Sequence, residues 1–257
     1  MKDKASSSSA VEKAISVLEA ITRDLRPLGV VDIAAELGLP RQTVHRIVRQ
    51  LEELKMVQKD PGRERYAYGE RLRVLAINTI SSSQLSRSSH TVLQKLVAEI
   101  RETCNLGMLD GNEVIYIDRV ECDWPLRVQL KPGSHVPIHC TALGKLLLAY
   151  QDDESRSRHI RAIELNRYTQ YTITDPDLLE AQLEQIAAQK YSINNQEDGI
   201  GLIAIAVPVR NAQGEVLAGL AVHAPEARFP IAAAIERLPE LHLAAEKIGQ
   251  SMFGRDQ

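Results

Sequence analysis

The chain has 257 residues, of which 44% are hydrophobic and 25% are charged, an ordinary composition for a globular protein of one or two domains. No apolar run approaches the roughly 18 residues of a membrane-spanning helix, and the serine-rich start lacks the apolar segment of a secretory signal, so we expect a cytoplasmic protein. Its three cysteines, Cys104, Cys122 and Cys140, include no C-x-x-C pair and argue against a disulfide framework or a zinc ribbon.

The net charge of −3 is unevenly distributed along the chain. Residues 1–75 hold 14 Lys and Arg against 11 Asp and Glu, whereas the remaining residues hold 17 against 23. A basic first segment followed by an acidic remainder is compatible with DNA binding at one end of the chain.

The first predicted element is a helix over residues 10–22. Ser9 and Glu12 have the S-x-x-E spacing of a capping box, in which each side chain satisfies a free amide at the start of a helix. Apolar residues then recur at helical spacing, so one side of this helix is expected to be buried.

A helix-turn-helix pattern follows over residues 30–54. A short helix is predicted over 30–37, Gly38 suits the left-handed residue that ends it, and Pro40 suits the first turn of a third helix over 40–54. Two short helices joined by a tight glycine turn are typical of DNA-binding domains. Strand-like runs at 56–59 and 65–68 around a Pro-Gly turn predict a hairpin, which in this position is a wing.

The exposed side of the third helix carries groups that can contact DNA. Its first turn can present Arg to guanine, Gln to adenine and a Thr methyl group to thymine, while basic residues farther along are expected at phosphates. The alternative is an ordinary solvated basic face. The candidate residues in the helix are Arg41, Gln42, Thr43, His45, Arg46 and Arg49, and those in the wing are Arg63 and Arg65.

The remaining chain is predicted to form a linker helix over residues 69–89 and a second domain over 90–257, after a winged domain over 1–68. The predicted elements of the second domain are a helix over 90–104, strands over 105–109, 113–120 and 126–130, helices over 141–150, 153–163 and 175–189, strands over 201–209 and 215–223, and a helix over 231–252. The turn Asp110-Gly111-Asn112 favours a hairpin between two of these strands. The fold class is therefore α+β with an antiparallel sheet.

In five stretches, the sequence resembles the IclR family of bacterial transcriptional regulators. The stretches are residues 10–19, 38–46, 105–111, 136–145 and 204–209. The resemblance implies a winged helix-turn-helix that binds a palindromic operator, and a GAF-like domain that binds a small effector. It also implies a homodimer through the N-terminal domains, often paired into a tetramer. Family members include repressors and activators, and small organic acids are frequent effectors.

The effector site is expected at the start of the helix after Thr141. Thr141 is a good N-cap, and the free amides of a helix N-terminus favour an anion. Family members that bind small carboxylates hold them at the positions that match Ala142 and Leu143.

Four further family pocket positions match Asn194, Ala204, Ala221 and His223. Members that bind glyoxylate have an acid, a cysteine and two serines at these positions, so this chain is not expected to bind glyoxylate by the same contacts. The two alanines open space, while Asn194 and His223 can still donate and accept hydrogen bonds. The sequence therefore favours a larger carboxylate, such as a sugar acid or an aromatic acid.

Three alternatives stay open. Zinc could bind between histidine and cysteine side chains, although no ligand pair has fixed helical spacing and we expect no metal or cofactor. A Cys140–His139 pair could be catalytic, although no orienting carboxylate and no phosphate-loop, G-x-S-x-G or H-E-x-x-H motif accompanies it, so we expect no enzyme. The chain could also bind DNA without any ligand. The residues considered for zinc are His135, His139, Cys140 and His223, and those considered as pocket walls are Leu106, Met108, Trp124, Leu126 and Val128.

Overall fold

The chain divides into two compact units, Met1–Thr79 and Ile80–Gln257. The computed structural model describes residues 9–23, 27–60, 64–82, 84–125 and 130–253. Within these ranges no helix has both the length and the apolar character needed to cross a bilayer.

Helices packed on a small antiparallel sheet form the first unit. Its elements are α1 (Ala10–Arg23), β1 (Leu28–Gly29), α2 (Val30–Leu37), α3 (Arg41–Glu53), β2 (Val57–Lys59), β3 (Arg65–Tyr68) and the first part of α4 (Glu70–Ser82). The strands pair in the order β1-β3-β2. The core consists of the apolar sides of α1, α2 and α3, including Val17, Ile33 and Val48, which are fully buried. This is a winged helix-turn-helix, as predicted.

Local signals set the ends of these helices. The Ser9 Oγ accepts the Glu12 N–H at 3.1 Å, and the Glu12 carboxylate accepts the Ser9 N–H at 3.2 Å, which confirms the capping box. Gly38 ends α2 in the left-handed conformation with φ of 62°. Pro40 is the N-cap of α3 rather than its first helical residue, so the helix begins one residue later than predicted.

The second unit is an antiparallel sheet between two layers of helices. Its elements are α5 (Gln84–Ile100), β4 (Thr103–Asp110), β5 (Glu113–Val120), β6 (His135–Pro137), α6 (Ala142–Ala149), α7 (Asp153–Ala162), α8 (Pro176–Gln189), β7 (Ser192–Asn195), β8 (Leu202–Arg210), β9 (Val216–Pro225), α9 (Ile231–Glu236) and α10 (Leu238–Phe253). The strand order is β6-β5-β4-β9-β8-β7, with antiparallel neighbours throughout.

The two faces of the six-stranded sheet are covered by different helices. A Cβ on Gly107 would lie 3.1 Å from the Leu143 side chain, and a Cβ on Gly219 would lie 2.6 Å from it, so these positions face α6. On the opposite face, His90 of α5 bonds to Asp118 at 2.9 Å. Because strand residues alternate between faces, each functional side chain of the sheet can be assigned to one side.

The helices at the start of the second unit differ in part from those predicted. The predicted linker helix over 69–89 corresponds to α4 and the first residues of α5, and residue 83 between them lies outside the described residues. The helix predicted over 90–104 ends at Ile100, because Arg101 takes a left-handed conformation with φ of 64° and Thr103 already pairs in β4.

The remaining differences concern two short strands at the sheet edges, one strand mostly outside the described residues, and the last helix. The short strands β6 and β7 were not predicted, and the strand predicted over 126–130 falls outside the described residues except for Leu130. The last predicted helix is two helices, α9 and α10, separated at Arg237. Pro239 explains the break, since its ring cannot continue a preceding helix.

Candidate functional site

The α3 helix presents a continuous polar face to solvent. Val44, Ile47, Val48 and Leu51 are buried and fix the helix on the core of the first unit. The opposite side carries every candidate DNA-contacting residue predicted for this helix. Arg41, Gln42, His45, Arg46 and Arg49 are exposed, and Thr43 is half-buried.

The basic residues of this face are available for an external partner. In the described ranges, neither a hydrogen bond nor an ion pair engages the side chains of Arg41, Arg46 and Arg49. The absence of carboxylate partners leaves three positive charges on one helix face. Such an arrangement attracts a polyanion and leaves its donors free to bind it.

The two wing arginines differ in what the structure shows of them. Arg63 lies outside the described residues. Arg65 is exposed, but its Nη1 donates to the Pro27 carbonyl at 3.1 Å, so this side chain braces the base of the wing. Its role in DNA binding stays a prediction.

The start of α6 has free amides at the predicted positions. The Thr141 Oγ accepts the Gly144 N–H at 3.1 Å, and the Thr141 carbonyl accepts the Lys145 N–H at 3.0 Å. The first two helical N–H groups, those of Ala142 and Leu143, therefore have no intrahelical acceptor. Both residues are buried, and an anion placed before the helix could accept from these amides.

Alanines form the sheet surface beside the start of α6. Ala204, Ala206 and Ala221 belong to the same buried cluster as Ala142 and Leu143. Ala206 and Ala221 are register partners on β8 and β9, and both alanine side chains are almost fully buried. That these small side chains leave room for a ligand between the sheet and the helix stays a prediction.

Asn194 has a different environment from the one expected. Its Oδ1 accepts the Glu197 N–H at 2.8 Å, and its Nδ2 donates to the Asp198 carboxylate at 2.6 Å. Asn194 therefore holds the turn between β7 and β8, and it presents the Asp198 carboxylate beside the site. This turn is joined to α6 by the buried ion pair of Lys145 with Glu197.

A polar wall that the sequence analysis missed lies on the sheet face that α6 covers. It consists of Arg119, Asn105 and His223. Arg119, Asn105 and Ala221 are register partners across β5, β4 and β9, on the same face as Gly107. The Arg119 Nη1 donates to the Asn105 Oδ1 at 2.5 Å. His223 lies two residues beyond Ala221, so it shares this face.

The charge state of His223 follows from its surroundings. Burial is the main cause that lowers the pKa of His223 below its ordinary 6.5, with Arg119 adding to the shift and Asp198 opposing it. The imidazole is therefore neutral near pH 7. The signal that could have revealed this wall is the polar Asn105 within an otherwise apolar strand, but its partners come from distant parts of the sequence.

Of the residues predicted as pocket walls, those that the structure describes do not converge on this site. Leu106 and Met108 alternate with Gly107, so they point to the opposite face of the sheet. Trp124 donates from Nε1 to the Arg101 carbonyl at 3.0 Å and lines a surface cavity of about 720 Å³ with residues of α5. Leu126 and Val128 lie outside the described residues.

The zinc and nucleophile alternatives find little geometric support. In the ranges that the structure covers, no three His, Cys, Asp or Glu side chains form a group that could hold a metal. His135 bonds to Asp110 at 2.7 Å, whereas the His139 Nε2 bonds to the Asn166 carbonyl at 3.0 Å. Burial, followed by nearby carboxylates, raises the pKa of Cys140 to about 12, so the thiol is protonated and poorly nucleophilic.

Comparisons with known proteins cover nearly the whole chain. The family model described as the IclR helix-turn-helix domain matches residues 10–61, and the bacterial transcriptional regulator IclR C-terminal model matches residues 77–250. The chain is 40% identical to the probable transcriptional regulator SauR of Cupriavidus necator over 94% of this chain and 96% of that protein.

Two solved structures show the same architecture. The Thermotoga maritima IclR structure has a TM-score of 0.64 and 26% identity, covering 94% of this chain and 98% of that one. The inducer-binding domain of PobR from Acinetobacter, a double mutant in complex with 3-hydroxybenzoic acid, has a TM-score of 0.60 and 31% identity. That match covers 65% of this chain and 98% of the other.

Proposed function

Because the chain belongs to the IclR family of bacterial transcriptional regulators, we propose that α3 binds operator DNA and that a small organic acid at the start of α6 changes the affinity of that binding. The observation that carries the DNA half is the exposed face of α3, whose three arginines have no partner in the described part of the chain. Arg41, Gln42 and Thr43 read base edges, while His45, Arg46 and Arg49 contact phosphates.

The observation that carries the effector half is the pair of free amides at Ala142 and Leu143 over an alanine surface. Amides can bind a carboxylate, and Ala204 and Ala221 leave room for more than a two-carbon acid. A sugar acid or an aromatic acid therefore fits better than glyoxylate. The PobR domain, a relative solved with 3-hydroxybenzoic acid, supports an organic acid in a domain of this fold.

The DNA-binding unit is proposed to pair with a second copy. Along α1, the apolar residues Val11 and Ile15 are 68% and 50% exposed, which is unusual for large aliphatic side chains on one helix. A second copy would cover them and would match a palindromic operator. Sedimentation of the full chain tests whether the protein is a dimer or a tetramer.

The ligand acts on DNA binding through a difference in affinity between two arrangements of the chain. The α4 helix spans the boundary between the two units at Thr79. A ligand that binds both arrangements equally well shifts nothing. The sign of its preference decides whether the protein represses or activates.

The proposed function is tested by selecting DNA sites and then adding acids. Genomic fragments bound by the purified full-length chain should contain a palindromic site, and anisotropy titrations should measure its affinity with and without sugar acids and aromatic acids. An acid that shifts the operator affinity at least fivefold is the expected result. A regulator that needs no ligand is the second candidate, and an operator affinity that no acid changes would favour it; turnover of a bound acid would favour an enzyme.

A further inference from the structure

Asn105 has an unused hydrogen-bond donor in the wall of the effector site. Its side chain is 1% exposed, and its Nδ2 has no hydrogen-bond partner within the described residues. The orientation of the amide is fixed, because Arg119 can only donate and must face the Oδ1. The Nδ2 therefore points away from Arg119. Since nearly all buried polar groups are satisfied in folded proteins, this donor indicates a missing acceptor.

His223 supplies a second unused polar atom next to Asn105. The strand pairing sets Asn105 opposite Ala221, and His223 follows two residues later on the same face. Diagonal neighbours of this kind lie about 7–8 Å apart at Cα, within reach of long side chains. The His223 Nε2 is buried and also lacks a partner among the described residues.

These two atoms lie across the alanine surface from the free amides of α6. Ala221 is the register partner of Asn105, and it also packs in the cluster that contains Ala142 and Leu143. A small molecule held at the amides and lying over Ala221 therefore extends toward Asn105 and His223. The site has polar groups at both ends and an apolar surface between them.

We propose that the effector carries a second oxygen group, remote from its carboxylate, that accepts a hydrogen bond from the Asn105 Nδ2 and pairs with the His223 Nε2. This inference rests on the proposed function. The ligand class is an acid with a distal hydroxyl, oxo or second carboxyl group, and unsubstituted hydrocarbon acids bind weakly because they leave both atoms unpaired. Arg119 is a positioning residue, since it fixes which end of the amide faces the ligand.

The charges near this wall agree with recognition by hydrogen bonding rather than by net charge. Arg119 is positive, but its Nε bonds to Glu121 at 3.3 Å. The carboxylates of Asp198 and Glu102 are also near His223. Because positive and negative groups balance there, a neutral hydroxyl suits the wall as well as an anion does.

Matched pairs of acids test the proposal directly. Butyrate and 4-hydroxybutyrate differ only in a distal hydroxyl group, and so do benzoate and 4-hydroxybenzoate. Calorimetric titration of the full-length protein with these four acids should show at least one oxygen-bearing member that binds ten times or more tightly than its plain partner.

Variants then locate the preference at Asn105. Asn105→Asp keeps the shape and the contact with Arg119 but removes the donor, so the preference within each matched pair should fall below threefold. Asn195→Asp is the control. It makes the same amide-to-carboxylate change at an exposed residue of β7, so it should leave the preference unchanged.

The outcomes separate the inference from the proposed function. If no organic acid, in this set or in the wider panel, binds the folded wild-type protein, the proposed effector function fails and the inference fails with it. If acids bind without preference for the distal oxygen, or if folded Asn105→Asp keeps the preference, only the inference fails. Should Asn105→Asp not fold, as judged by its melting temperature, the wild-type preference alone decides.

Discussion

The Lys145 ammonium and the Glu197 carboxylate form an ion pair inside the second unit, where their side chains are 0% and 6% exposed. The pair joins α6 to the turn that carries Asn194 and Asp198. Glu197 also accepts the Asn195 N–H at 3.3 Å, so one carboxylate organises this part of the site. Burial lowers the pKa of Lys145, and Glu197 opposes that shift by favouring the charged form.

Removing one member of this pair should destabilise the second unit strongly. Lys145→Met leaves the Glu197 carboxylate buried without a positive charge beside it and should cost about 3–5 kcal/mol of unfolding free energy. Urea unfolding followed by the fluorescence of Trp124, the only tryptophan, measures this unit. The double variant Lys145→Met, Glu197→Leu should recover most of the loss.

A surface pair provides the control for that experiment. Arg158 and Glu154 form an ion pair four residues apart on α7, with side chains 49% and 64% exposed. Arg158→Ala should change the stability by less than about 1 kcal/mol, since exposed pairs contribute little. A Lys145→Met variant as stable as Arg158→Ala would show that the buried pair does not hold the site together.

Changes at the start of α3 should relax operator specificity. Arg41→Ala and Gln42→Ala each remove an exposed side chain placed to reach base edges, so each should cost about 1–3 kcal/mol on the preferred site and less on mismatched sites. Anisotropy competition between the two sites measures the ratio. Arg161→Ala, an exposed arginine in the other unit, is the control and should leave that ratio unchanged.

Arg46 should act on DNA of any sequence. Arg46→Ala should weaken specific and nonspecific binding by similar factors, and the slope of log affinity against log salt should fall in magnitude by about 1 because one phosphate contact is lost. Titrations at four salt concentrations measure this slope. If Arg46→Ala altered base preference while Arg41→Ala did not, the roles of the two residues would be reversed.

Filling the alanine surface should block the effector without affecting DNA binding. Ala221→Leu places three extra carbons beside the start of α6, so acid affinity should fall at least tenfold while operator affinity stays within twofold. Ala224→Leu is a matched control, since Ala224 is equally buried on the same strand but faces the other side of the sheet. Both variants should lose about 1–3 kcal/mol of stability by overpacking. Equal loss of acid binding in both would place the ligand elsewhere.

Stability of the second unit should fall as the pH drops below about 6.5. Burial lowers the pKa of His139 and of His223 in the folded chain, so the unfolded chain binds more protons in that range and stability rises with pH. Between its unfolded pKa and its lower folded pKa, each histidine contributes a slope of up to about 1.4 kcal/mol per pH unit. Below the folded pKa this slope falls to zero, because both states then bind the proton. Urea unfolding at pH 8, 7, 6 and 5 measures the slope.

Variants assign that slope to the buried histidines. His139→Gln and His223→Asn should each reduce the loss of stability on acidification, whereas His45→Gln, a change at an exposed position of α3, should leave it unchanged. Stability that stayed constant from pH 8 to pH 5 in the wild-type chain would contradict the burial of neutral imidazoles.

Local chemistry made the first unit predictable from sequence. The capping box of Ser9 and Glu12, the left-handed Gly38 and the apolar spacing along α3 depend on neighbours within a few residues, and all three appear in the structure. The end of α5 was mispredicted because the pairing of Thr103 with His223, which are 120 residues apart, begins a strand where local preference favours helix.

The candidate site was only half predictable for the same reason. The start of α6 at Thr141 carries its own N-cap signal, so it could be identified from four residues. Asn105 and Arg119 become partners only through the register of β4 and β5, and the alternation that turns Leu106 away from α6 depends on which face the helix covers. Sequence periodicity shows that a strand has two faces, but it does not say which one meets the ligand.

The close packing at Gly144 limits how the ligand preference of this domain can change. A Cβ at this position would lie 2.1 Å from the Ile138 carbonyl oxygen, so α6 is seated directly against the preceding backbone. The helix start is therefore a fixed reference point, unable to slide toward a shorter acid or retreat from a longer one. We expect a change of ligand specificity to come from substitutions on the facing strands β4, β8 and β9. There an alanine or an asparagine can be replaced while the start of α6 stays in place.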